Sequence, residues 1–224
     1  MSKSIRNGRR KPREQASKPR IPTLGYYFIV TDTNETEQNY MYGIKDSIPK
    51  ELQDRLVIRV KKTKTKKLVA EALELASLHP QYGEIWIVFD RDQIQDFDEI
   101  IDEAQRKKIS VGWTNPCIEE WFSAYLGEMP TCSGSVDCCK QFEELFKKKT
   151  GQTYKKEDKK IYMKLLEYGD EGKAIAIARQ KIGEHTRNGI IKPSQMCPAT
   201  QLHNLVEEIK AKVECYKKGA NAKR

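Results

Sequence analysis

Apolar residues gather along this chain first in short unbroken runs and then in spaced sets, and the alternation of the two predicts its elements. Leu24-Gly-Tyr-Tyr-Phe-Ile-Val30 is a compact run rich in β-forming residues, the pattern of a strand buried on both faces. Polar residues follow from Thr31 to Glu37, and then Tyr40, Met41 and Ile44 recur at helical spacing. Thr33 or Asn34 is a candidate cap for that helix, with Glu37 three residues beyond Asn34 as in a capping box. Pro49 closes the unit. Leu56 to Val60 is a second strand. Residues 65–79 carry Leu68, Val69, Ala72, Leu73, Leu75 and Ala76, an amphipathic helix. Glu84 to Phe89 is a third strand, and residues 96–107 form a helix with Phe97, Ile100, Ile101 and Ala104 on one face. Ile109 to Trp113 is a fourth strand. Pro116 suits the first turn of a helix that continues through Trp121, Phe122 and Leu126.

Strand and helix thus alternate four times, which predicts a parallel sheet covered by helices and joined by right-handed crossovers. Beyond Glu128 the texture changes. Met129 to Val136 reads as a loop, and residues 137–149, 156–167, 172–186 and 200–215 read as helices with no convincing strand among them. The expected fold class is α/β: a mostly parallel four-stranded sheet flanked by helices, with a C-terminal helical extension. The expected boundaries are a disordered basic arm at 1–22, the α/β core at 23–128, a helical extension packing on it at 129–216, and a frayed tail at 217–224.

Charge sharpens this division. The chain of 224 residues carries a formal net charge of +9. Eight Lys or Arg against Glu14 alone place +7 of it in the first twenty residues. The body is therefore nearly neutral, and the high pI does not make it basic. The arm suits a phosphate backbone or simple solubilisation equally well. No apolar run approaches the roughly 20 residues of a membrane span, and the N-terminus lacks the apolar stretch of a secretory signal, so a cytoplasmic protein is expected. The six cysteines, Cys117, Cys132, Cys138, Cys139, Cys197 and Cys215, are expected as reduced thiols. Zinc is weighed for Cys132, Cys138 and Cys139, but no Cys-x-x-Cys pair exists, and the spacing argues against it.

Ligands of a parallel α/β sheet gather beyond the carboxyl ends of its strands. Acids fall at those positions here: Asp32, Glu35 and Glu37 after the first strand, Asp90 and Asp92 after the third, and Glu119 and Glu120, with Asn115, after the fourth. Carboxylates that converge repel one another, and so bind a cation or share a proton. Magnesium prefers such oxygen ligands and keeps room for substrate phosphates. The competing reading of each acid is a helix cap or a surface charge. Lys61, Lys62, Lys64, Lys66 and Lys67 follow the second strand and are candidate contacts for a phosphate backbone, with a solvated loop as the alternative. The lysines of 147–149 and 155–160 read as solvated charge.

Val88-Phe-Asp-Arg-Asp92, Trp113-Thr-Asn-Pro-Cys-Ile-Glu-Glu-Trp121, Thr36-Glu-Gln-Asn-Tyr40 and Pro198-Ala-Thr-Gln-Leu-His203 together resemble the RloB-like family over about residues 24–210. Its members look like Toprim proteins, the metal-dependent fold of topoisomerases, primases and overcoming-lysogenization-defect nucleases. The resemblance implies a Toprim-like fold, with Asp90 and Asp92 as metal ligands. Family members read Cys-Glu-Gly-x-x-Thr-Glu after the first strand, where this chain has Asp32 and Thr33 in place of Glu and Gly. Asp32 is the implied third ligand or general base, with Glu35 or Glu37 as substitutes. Glu119 is a possible metal or supporting ligand, or else a helix N-terminal acid. His203 is a phosphate contact or proton donor, or else a buried structural histidine. Arg91 and Asn115 join the candidate nucleic-acid contacts. The implied function is Mg²⁺- or Mn²⁺-dependent cleavage of nucleic acid, RNA (tRNA in particular) or DNA, in prokaryotic antiphage defence. An ATPase encoded alongside is a possible partner, and an oligomer is possible. The alternative is a catalytically weakened nucleic-acid- or protein-binding subunit of a defence complex. An enzyme acting on small nucleotides ranks last, because no Gly-rich phosphate loop supports it.

Overall fold

The computed structural model describes residues 27–31, 35–60, 65–80, 83–92 and 94–221. The basic arm, Asp32, Lys61, Lys62 and Lys64 lie outside the described residues.

Strand β1 (Tyr27–Thr31) leads to helix α1 (Thr36–Ser47), the short helix α2 (Lys50–Gln53) and strand β2 (Leu56–Val60). Helix α3 (Leu68–Ser77), strand β3 (Glu84–Asp90), helix α4 (Phe97–Arg106), strand β4 (Ser110–Asn115) and helix α5 (Glu119–Tyr125) complete the alternation. Helices α6 (Ser135–Thr150), α7 (Ile161–Tyr168) and α8 (Glu171–Arg187) follow, then a two-residue strand β5 (Ala199–Thr200) and helix α9 (Leu202–Asn221). The sheet order is β2-β1-β3-β4-β5. The first four strands are parallel, with Thr31 opposite both Val60 and Val88, and Asp90 opposite Thr114.

The mostly parallel α/β arrangement flanked by helices agrees with the sequence reading and is compatible with a Toprim-like fold. The sheet has one strand more than expected. β5 runs antiparallel to the end of β4, pairing Thr200 with Thr114 and Ala199 with Asn115. Two residues are too few to carry a periodicity, so no sequence pattern announces them. Pro116 also differs from expectation: the Asn115–Pro116 peptide is cis, and α5 begins three residues later, at Glu119.

Alternating side chains leave the strands toward two separate cores. Tyr27, Ile29, Leu56, Ile58, Trp86 and Val88 pack against α1, α5 and the helices of the extension. Val30, Ile87, Phe89, Val111 and Trp113 pack against α3 and α4. Burial on both faces explains why the strands read as continuous apolar runs rather than alternating ones. The extension shares the first core. Leu202, Leu205, Val206 and Ile209 of α9 are fully buried in it. The Tyr27 hydroxyl, at the start of β1, donates a 2.6 Å hydrogen bond to Glu208 on α9.

A buried polar chain runs through the same core. Trp121 Nε1 donates to Tyr40 Oη at 2.7 Å, and Tyr40 and Tyr125 share a 2.8 Å hydrogen bond. Tyr125 and Tyr162 both donate to Glu171, which also pairs with Lys210. Each buried polar atom so satisfied avoids a cost of about 1–3 kcal/mol.

The chain leaves β1 toward β2 on one side and returns to β3 on the other. Its direction across the sheet therefore reverses between β1 and β3, and a crevice opens beyond their carboxyl ends.

Candidate metal centre

That crevice is a cavity of about 500 Å³, and Glu35, Glu37, Asp90, Asp92 and Glu119 line it together with Lys156. Five carboxylates face one ammonium among its described lining residues.

Asp90 is the last residue of β3, and the strand's pairing fixes where it emerges. Its Oδ2 accepts a 2.9 Å hydrogen bond from the Ile118 backbone N–H, which ties it to the entry of α5. The protein buries part of this carboxyl and leaves part open to the cavity. That desolvation, above all, raises its pKa well above the usual carboxylate range. The charges of Glu37 and Glu119 add to the rise, as does a hydrogen bond with Glu37, while the Ile118 N–H opposes it.

Glu37 lies in the first turn of α1 and is only 4% exposed. It is not the far half of a capping box: α1 starts at Thr36, so Glu37 is too early in the helix, and it turns to Asp90 instead. Glu119 opens α5 at 2% exposure. Its Oε1 accepts a 3.0 Å hydrogen bond from the Tyr154 hydroxyl, and Lys156 Nζ lies 3.9 Å away.

Asp92 sits at the exposed rim. Its φ of +36° is left-handed, a conformation Asp tolerates better than most residues. Two backbone hydrogen bonds hold the turn there, Arg91 N–H to Thr114 O at 2.8 Å and Asp92 N–H to Pro116 O at 3.0 Å. Ser135, at the start of α6, donates to Asp92 Oδ1 at 2.7 Å.

The structure thus brings together Glu37, Asp90, Asp92 and Glu119 of the sequence candidates. Others fall elsewhere. Asn115 is 1% exposed, and its side-chain nitrogen donates to the carbonyls of Pro193 and Ser194 at 3.0 and 3.2 Å. It fastens the end of β4 to the turn before β5, and burial removes it from any nucleic-acid contact. His203 is 4% exposed and is not among the cavity's lining residues. Its Nδ1 is 3.0 Å from Thr200 O, and burial lowers its pKa. Lys66 pairs with Asp96 at 3.0 Å on the surface, and Lys67 stands exposed before α3. Thr65 lines the cavity, so this lysine-bearing turn adjoins it. Arg91 is partly buried, with Nη1 3.5 Å from the Asp92 carbonyl.

Sequence reasoning missed Tyr154, Lys156 and Ser135. Lys156 belongs to a run read as solvated charge, yet it reaches the cavity rim. No spacing marks these residues, because the extension folds back from a distance that local periodicity does not encode.

On the other side of the first turn of α5, Glu120 is 1% exposed. It is pushed up to about 9, first by burial and then by the Cys132 thiol, which donates to its Oε1 at 2.9 Å.

A family model described as RloB-like protein matches residues 27–209 of this chain. No curated protein and no solved structure matches it.

Proposed function

We propose, from the premise that the chain belongs to the RloB-like family, that its acidic cavity hydrolyses phosphodiester bonds of nucleic acid with Mg²⁺ or Mn²⁺. The observation that carries this reading is the meeting of Glu37, Asp90 and Glu119, from three separate elements, in one cavity. Carboxylates that share one cavity, with Glu37 and Glu119 both raising the pKa of Asp90, favour a proton or a cation between them. The donors are carboxylate oxygens, which fit a hard divalent ion. Glu37, Asp90 and Glu119 would hold it, with Asp92 at the rim. When bound, such an ion neutralises charge developing on a phosphate and lowers the pKa of a water.

The chain's own residues prepare the site for that substrate. The Ile118 N–H fixes one oxygen of Asp90, and Tyr154 fixes Glu119, so neither carboxylate has to be ordered during reaction. Lys156 at the rim offers a cation to an incoming phosphate. The N-terminal turn of α1 lines the cavity and adds its partial positive charge. RNA and DNA both suit these features. A setting in prokaryotic antiphage defence, with an ATPase as partner, rests on the family resemblance alone. Among the described residues no helix is long and apolar enough to cross a membrane.

A second reading is a binding subunit that retains the fold and has lost cleavage. The sequence favours it at one point, Asp32-Thr33 in place of Glu-Gly. The deciding experiment incubates pooled tRNA, single-stranded RNA and plasmid DNA with the purified chain, in Mg²⁺, in Mn²⁺ and in chelator. Metal-dependent cleavage that falls roughly 10²–10³-fold in Asp90→Asn and Glu119→Gln is expected. Binding without cleavage under every condition would favour the second reading.

A further inference from the structure

Five of the six cysteines collect beside the carboxylate cavity: Cys117, Cys132, Cys138, Cys139 and Cys197. They arrive from three stretches of chain, the entry to α5, the loop leading into α6 with its first turn, and the turn before β5. Glu120 enters the same cluster. One of its oxygens accepts from Cys132, and the other, Oε2, is buried without a hydrogen-bond partner among the described residues. The donor atoms of Glu120, Cys132 and Cys138 all lie within 4.8 Å of one another. The Cys197 thiol donates to the Cys132 backbone carbonyl at 3.9 Å, which brings a further sulfur to this group.

We infer that Glu120, Cys132, Cys138 and Cys197 bind one structural zinc ion. Tetrahedral zinc with Zn–S bonds of about 2.3 Å keeps sulfurs ~3.8 Å apart, a spacing that Glu120, Cys132 and Cys138 reach by small side-chain rotations, with Cys197 turning in from its bond to the Cys132 carbonyl as the fourth ligand. Thiolates select zinc over magnesium, so this ion is distinct from the one proposed for the carboxylates. The orphaned Glu120 oxygen is the independent mark of the site. A buried carboxylate oxygen left unmet is costly, and a cation removes that cost. Four protein ligands leave no open position, which makes the site structural rather than catalytic. Binding releases the thiol protons to solvent.

The ion would act as a clasp. Glu119 and Glu120 are neighbours in the first turn of α5: Glu119 lines the cavity with Cys117 and Cys139 beside it, and Glu120 meets Cys132 and Cys138. Ser135, which holds Asp92, lies between Cys132 and Cys138 in the chain. Zinc at the thiols therefore fixes the segment that presents Glu119 and the segment whose Ser135 holds Asp92. The Cys117 thiol donates to the Cys138 sulfur at 3.1 Å, so a disulfide is the competing fate of the cluster.

The full chain, expressed with added zinc and purified under reductant, is expected to hold one zinc per chain by elemental analysis. Replacing zinc by Co²⁺ should give thiolate-to-cobalt charge transfer and the visible bands of a tetrahedral ion. Cys132→Ser and Cys138→Ser should each reduce bound zinc to below a tenth of an ion. Should either variant fold poorly, titrating the wild type with a mercurial should release zinc into a chromogenic chelator in step with thiol blocking. Asp90→Asn should keep its zinc whether or not the cavity proves to be a nuclease site. A wild type that takes up neither zinc nor cobalt under reductant, or zinc that is lost in Asp90→Asn, would overturn the inference.

Discussion

The hydroxyl of Tyr154 donates a 3.0 Å hydrogen bond to Glu119, which lies 35 residues earlier in the chain. Both side chains are buried. Through this contact the helical extension holds a carboxylate that belongs to the sheet's carboxyl end, so the cavity depends on residues far from any strand. In Tyr154→Phe, Glu119 keeps its burial and loses its donor. The expected cost is about 1–3 kcal/mol, read as a shift of the urea midpoint with unchanged slope. Cleavage by this variant should lose kcat more than it raises KM, because Glu119 is then free to misplace itself.

Asp90→Asn should stabilise the metal-free protein. The Asp90 carboxyl has its folded pKa raised above the unfolded value. Its contribution to stability is complete below the unfolded pKa and is lost as pH rises through the folded one. In chelator, the melting temperature of the variant should therefore exceed that of the wild type at pH 8, with the gap closing toward acid pH. Each kcal/mol of relieved repulsion is worth about 2–4 °C in a chain of this size. Millimolar Mg²⁺ should raise the wild type and leave the variant nearly unmoved. Equal melting temperatures at every pH would refute the crowding of the three carboxylates.

Lys156→Ala separates binding from folding. The 3.9 Å pair with Glu119 involves a lysine whose side chain is 54% exposed, so its loss should change stability by about 0–1 kcal/mol. Nucleic-acid affinity should fall, and the slope of log affinity against log salt should shrink by about 0.7–0.9. Fluorescence anisotropy in chelator, across a salt series, measures both.

Gly43→Ala tests how α1 is seated. A Cβ there would come within 3.0 Å of Tyr162 Cγ and closer still to its Cβ, where helix α7 crosses. The expected destabilisation is about 1–3 kcal/mol from overpacking. Because α1 carries Glu37, this variant should also weaken Mg²⁺-induced stabilisation, measured by thermal melting with and without the ion.

The strands and their covering helices were legible because burial imposes periods of two and 3.6 on the residues themselves. Asp90 and Asp92 were legible for a related reason: acids directly after a strand must emerge at its carboxyl end. Asp32, the third acid expected there, lies outside the described residues. Asn115 and His203 share that neighbourhood but not that fate. Their polar side chains advertise chemistry, and only packing reveals that both are enclosed and bonded to backbone carbonyls. Tyr154, Lys156 and the gathering of five cysteines were illegible because they depend on how a chain of helices folds back. The missing Cys-x-x-Cys pair argued against zinc at Cys132, Cys138 and Cys139, and tertiary contact brought these residues together without it.

The hydrogen bond from Tyr27 to Glu208 joins the first described strand to the last helix. A ribosome makes these residues in that order, with almost the whole protein between them. Until α9 has emerged, the face of the sheet that Leu202, Leu205 and Val206 will cover has no lid. The acids of the cavity are synthesised well before the helices that set them in place. Completion of the core is thus a late event in the life of each nascent chain, and a product cut short before α9 would carry the carboxylates and the residues that hold them over an uncovered sheet face.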